Sequence, residues 1–146
     1  MDFWKRLFSG NRGQTLVEII VVVGVVVILT TGLVIVTTFS LKMGRIGRLK
    51  SQAVKYAQEG MEFVRQRRDQ SWEDFRTLDG IWCLGDGGGW SQAAICLTNV
   101  DNFFGRTVEF TWKEDEQRMD VTVTVDWNEG SDYYETHLDS YFTQWQ

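Results

Sequence analysis

The chain has no proline, one histidine and two cysteines in 146 residues. Without proline, no imposed kink or break interrupts a helical pattern. With His137 alone beside Cys83 and Cys96, a zinc ligand set lacks members. His137 has no Ser or Cys nucleophile context, and no catalytic constellation is found. The expectation is a protein that is not an enzyme and carries neither metal nor cofactor.

A further absence is local. From Ile19 to Leu41, 23 consecutive residues carry no ionisable side chain. As a helix they span roughly 34 Å, slightly more than a hydrocarbon core of about 30 Å. A secretory signal peptide has a shorter apolar core and a small-residue cleavage site. Here "KMGRIGRLK" follows Leu41 instead. A buried core helix seldom runs past about 20 residues. A single transmembrane helix is expected. Glu18, at its mouth, is the anomaly, because a carboxylate facing lipid is costly unless compensated.

The net charge of -5 divides unevenly. Residues 1–13 hold Lys5, Arg6 and Arg12 against Asp2, a balance of +2, which leaves -7 for the rest. Lys42, Arg45, Arg48 and Lys50 follow the apolar run, a cluster suited to anionic head groups or acidic partners at a membrane surface. Basic residues on both flanks leave the positive-inside rule undecided. The acidic distal part gives nucleic-acid binding little support.

Past Leu41 a helical period continues. Ile46, Leu49, Ala53, Ala57, Gly60, Met61, Val64 and Phe75 fall on one side of a wheel. Arg48, Lys55, Glu59, Glu62, Gln66, Asp69 and Glu73 fall on the other. One helix is expected from about Gln14 to the region of Arg68, apolar all round at first and amphipathic later. Asp69 to Gly105 reads as loop-rich. "GDGGGW" (85–90) lacks the Lys-Ser/Thr pair of a phosphate loop and is read as a flexible loop, with "IWCL" and "AICLTNV" as short strand candidates beside it. Cys83 and Cys96 flank it. They are expected to form a disulfide if the domain is exported, and two buried free thiols are the alternative.

The C-terminal third alternates as antiparallel sheet does. Val108, Phe110 and Trp112 share one face, as do Met119, Val121, Val123, Val125 and Trp127. Tyr134, Thr136 and Leu138 give a weaker third run. The turns "EDEQR" and "NEGSD" separate the three. A sheet with one apolar face needs a cover, which the amphipathic helix half supplies. Two further features are weak. Asp126, Asn128, Gly130 and Asp132 have the oxygen spacing of a calcium loop, but the distal Glu is missing and a hairpin turn uses the same residues. Trp72, Trp82, Trp90, Trp112, Trp127 and Trp145 suggest either an aromatic binding surface or half-buried packing.

The N-terminal stretch resembles that of type IV prepilins and of secretion-system pseudopilins. The match lies in a short basic leader ending at Gly13, the sequence "QTLVE" with Glu18 at the fifth position, and the long apolar helix. "AQEGMEFVRQRRDQSW" is similar to the corresponding region of minor pilins. The resemblance implies a type IV pilin-like α+β fold, with a long N-terminal helix on a C-terminal antiparallel sheet. It implies a leader at 1–13, a transmembrane and filament-core half at 14–41, and an extracytoplasmic domain at 42–146. A prepilin peptidase would cut between Gly13 and Gln14, and Gln14 would be a site of N-methylation. Glu18 would pair with the N-terminal amine of a neighbouring subunit. Partners would be other pilin subunits, the peptidase, an inner-membrane assembly platform and membrane lipids. Gln14 stands where Phe is usual and the apolar half lacks proline, which fits a minor subunit better than the bulk filament protein. The competing expectation is a single-pass, membrane-anchored binding or adhesion module that never polymerises. Gly13 and Glu18 discriminate between the two, because a plain anchor gains nothing from either.

Overall fold

A computed structural model describes residues 12–93, 96 and 98–144, with side chains from Leu16 onward. Helix α1 runs Arg12–Gln70 as one element of 59 residues. The absence of proline is its local cause, since Gly24, Gly32, Gly44 and Gly47 weaken a helix without breaking it. The chain divides into two compact units, Met1–Arg45 and Ile46–Gln146.

In the first unit the side chains from Leu16 to Leu41 are exposed along the whole helix. The second unit is an α+β domain. It contains the amphipathic end of α1, the short helix α2 (Trp72–Phe75) and five strands: β1 (Gly80–Leu84), β2 (Trp90–Gln92), β3 (Gly105–Lys113), β4 (Arg118–Glu129) and β5 (Asp132–Phe142). The sheet is antiparallel throughout, in the order β2-β1-β3-β4-β5. Val108, Val123 and Leu138 lie side by side across β3, β4 and β5. This register puts every apolar member of the alternating sets on the inner face.

Four helix residues meet that face, with Ala53, Ala57, Met61 and Val64 buried against Val108, Phe110, Val121, Val123 and Val125 in one core. Small residues allow the close approach. A Cβ on Gly60 would lie 3.0 Å from Val123 Cγ1 and 3.1 Å from Arg106 Cδ. The third and fourth strands match the expected alternation. Met119, Val121, Val123, Val125 and Trp127 are all at most 2% exposed, whereas the intervening residues are half-buried.

Two local expectations need correcting. Phe75 does not continue the apolar stripe of α1. It belongs to α2, which Ser71 caps by accepting the Asp74 amide at 3.2 Å on its hydroxyl. Phe75 reaches the core edge-on to Phe110 and Phe142, with centroids 5.8 and 5.6 Å away. Cys96, Thr98 and Asn99 of the candidate strand "AICLTNV" lie in no strand, and the segment that pairs with Trp82–Leu84 is Trp90–Gln92. Residues 94, 95 and 97 of that stretch lie outside the described residues. The "GDGGGW" loop is therefore the turn of the β1–β2 hairpin. Gly88 there adopts φ +83°, and a Cβ on it would sit 2.8 Å from Phe63 Cε1.

Candidate functional site

Among the described residues the most exposed apolar surface is the first half of α1. It is long and apolar enough to cross a membrane, and its most apolar stretch is unburied. A core helix of a soluble domain of this length would be covered by its own fold. Its polar atoms are arranged for an apolar surrounding. Thr30, Thr31, Thr37 and Thr38 each donate a hydroxyl to the carbonyl four residues earlier, at 2.7–3.0 Å. Each hydroxyl is thus satisfied within the helix, as a lipid or protein-packed setting requires.

Glu18 interrupts that surface. It is exposed, and among the described residues no hydrogen bond or ion pair engages its carboxylate. Gly13 and Gln14 lie in the first turn of α1, one turn before Glu18. Residues 1–11 of the expected leader lie outside the described residues. Lys42, Arg45, Arg48 and Lys50 all lie on the same helix, beyond the apolar run.

Within the second unit, the end of α1 is held to the sheet by a residue outside the expected site residues. Arg106 is wholly buried. Its Nε donates to the Leu84 carbonyl at 2.9 Å, one terminal nitrogen to the Tyr56 carbonyl at 3.1 Å and the other to the Gly85 carbonyl at 2.8 Å. Glu59 Oε2 lies 3.8 Å away and the Phe63 ring sits 5.7 Å from the guanidinium carbon. Burial lowers the Arg106 pKa, and the charges of Glu59 and Asp86 oppose that shift. Its backbone is bracketed by Asn99, whose amide oxygen accepts the Arg106 N–H at 2.7 Å and whose amide nitrogen donates to its carbonyl at 3.0 Å. One side chain therefore ties α1, β1, the glycine turn and β3 together. A signal existed in the sequence: Arg106 has the same strand parity as Val108, Phe110 and Trp112, so it had to point inward.

Cys83 and Cys96 form a disulfide, with Cα atoms 5.3 Å apart. It fastens β1 to the segment that leads into β3. The glycine turn it encloses spends its polar groups internally, since Asp86 Oδ2 accepts the Asp101 amide at 2.9 Å and the Asp86 amide donates to the Asn99 carbonyl. Asp126, Asn128, Gly130 and Asp132 lie at the β4–β5 hairpin, where Gly130 adopts φ +66°. Burial pushes the Asp126 carboxyl up, which is the reverse of a preformed cation cage. Among the described residues no group of three or more His, Cys, Asp or Glu could hold a metal ion.

The tryptophans divide. Trp127 is buried and stacks on Tyr134, whereas Trp72, Trp82, Trp90 and Trp112 are half-buried against the core. Trp145 lies outside the described residues. His137 faces outward on β5 opposite Thr124. Compared with protein-family models, with curated proteins and with solved structures, the chain finds no match in any of the three.

Proposed function

We propose that this chain is a structural subunit, of the minor or accessory kind, of a type IV pilus or related pilin-like filament. The carrying observation is an exposed carboxylate, Glu18, on an otherwise bare apolar helix, one turn beyond Gln14. Prepilin peptidase removes residues 1–13 and frees an α-amine on Gln14, which is then available for N-methylation. Lipid first covers Ile19–Leu41. The assembly platform then moves the helix from lipid into a bundle of neighbouring subunits, where Glu18 pairs with the amine of an adjacent chain. A buried carboxylate is penalised when alone and tolerated when paired, so the pair selects one axial offset. The disulfide supports a domain exported to an oxidising compartment.

The test is intact-mass measurement of the protein from cells with and without prepilin peptidase. The expected mature chain begins at Gln14 and appears only when the peptidase is present. Retention of Met1 in peptidase-competent cells, or a start near Lys42, would overturn the proposal and leave a plain membrane-anchored module.

A further inference from the structure

Two half-buried indoles meet where α2, the end of β3 and the residues after β5 come together. Trp72 and Trp112 pack edge to face, with centroids 6.1 Å apart. Around them lies an open cleft of about 390 Å³, lined also by Arg76, Glu116, Gln117, Thr143 and Gln144. We infer that this Trp72–Trp112 cleft is a binding site for a neutral saccharide.

The wall is fixed before any ligand arrives. Phe75, one residue before Arg76 and three after Trp72, is locked in the core by its edge-on contacts with Phe110 and Phe142. Trp112 is anchored by its indole N–H, which donates to Glu114 Oε2 at 2.5 Å. Gln117 adopts the left-handed conformation, φ +48°, and its amide nitrogen donates to the Glu114 carbonyl at 2.8 Å. Trp72 lines the cleft, and among the described residues no hydrogen bond engages its indole N–H. Rigid aromatic surface with few rotatable bonds costs little to order on binding.

The chemistry selects the ligand class. A pyranose ring has one face of C–H bonds, which suits an indole, and a rim of hydroxyls that both donate and accept. Gln117 and Gln144 offer amides that do both, Thr143 a hydroxyl, Arg76 a planar set of donors and Glu116 an acceptor. An apolar ligand would leave these groups without partners, which is costly. An anionic ligand would meet Glu114, Asp115 and Glu116 on the adjoining turn. Arg76 and Glu116 already have ion-pair partners in Glu73 and Arg118. The surplus charge beside the cleft is therefore negative, from Glu114 and Asp115, and opposes an anionic ligand.

The experiment uses the full-length chain in a detergent without a sugar head group, titrated with neutral tri- and tetrasaccharides of glucose, galactose and N-acetylglucosamine and with the anionic trisaccharide sialyllactose. Binding is read by calorimetry, beside thermal unfolding of every variant. At least one neutral oligosaccharide should bind saturably. Trp72→Ala and Trp112→Ala should each weaken it by about tenfold or more. Trp72→Phe, which keeps an aromatic wall in place, should fall between. Trp82→Phe, outside the cleft, should bind as the wild type does. No saturable binding of any neutral probe would overturn the inference. So would tighter binding of sialyllactose, or unchanged affinity in well-folded Trp72→Phe and Trp112→Phe proteins.

Discussion

Arg106 donates to the backbone carbonyl of Tyr56 at 3.1 Å, across fifty residues of chain. The two sit on different layers of the domain, β3 and α1. A guanidinium with three carbonyl partners is suited to this place because its fork reaches several acceptors at once, whereas an ammonium is a point charge. Replacing Arg106 with Ala should lower the stability of the domain by about 3–5 kcal/mol, since the Leu84, Gly85 and Tyr56 carbonyls lose a buried donor. Arg106→Lys should recover only part of this. Chemical denaturation followed by near-ultraviolet circular dichroism checks both. A Lys variant as stable as the wild type would show that charge alone, and not the fork, holds the layers.

Gly60 offers a test of the same interface from the helix side. Alanine is the better helix former by about 1 kcal/mol, so in an open position the change should stabilise. Here the new Cβ meets Val123, in the middle of β4, and the stem of the pinned Arg106. Neither can move freely. Gly60→Ala should therefore lower stability by about 1–2 kcal/mol, as overpacking does. Gly47→Ala has nothing within 4 Å of its Cβ and should be neutral or stabilising. Thermal midpoints of the two variants, compared with the wild type, decide it.

The Cys83–Cys96 bridge closes a short loop, with a sequence separation of 13. In the chain-entropy account its removal costs about 3 kcal/mol. The double substitution Cys83→Ser, Cys96→Ser should lower the thermal midpoint while leaving the sheet formed. Reduction of the wild type should reproduce that shift. Non-reducing peptide mapping of exported protein should recover the two cysteines in one linked fragment.

Much of the domain could be read from residue order. Strict alternation in β4 gave its inner face, because period two leaves only one way to turn Met119 through Trp127 inward, and the weaker alternation of β5 pointed the same way. The long helix was legible because nothing in the chain forbids it: there is no proline, and the amphipathic period follows the apolar run without a break. Phe75 escaped this logic, since a 3.6-residue period cannot reveal the break that Ser71 introduces by capping a new turn. The position of β2 was missed for a similar reason. Trp90–Gln92 is a strand because it pairs with Trp82–Leu84, not because of its own pattern. Arg106 was hidden by its charge. Its worth lies in carbonyls contributed by residues 22, 50 and 21 positions away, which sequence spacing does not show.

The central claim is that Glu18 registers one subunit against the next. Removing its charge makes the helix more apolar, so membrane insertion should not suffer. The domain from Ile46 onward should keep its thermal stability. What should be lost is entry into filaments. The most direct measurement is the amount of Glu18→Gln protein, relative to wild type, that co-purifies with filaments sheared from the cell surface, with membrane levels and N-terminal cleavage followed in parallel. Gln keeps shape and hydrogen bonding and removes only the charge. The account predicts normal cleavage at Gly13, normal membrane levels and little or none of the variant in the sheared fraction. Incorporation of Glu18→Gln at the wild-type level would contradict it.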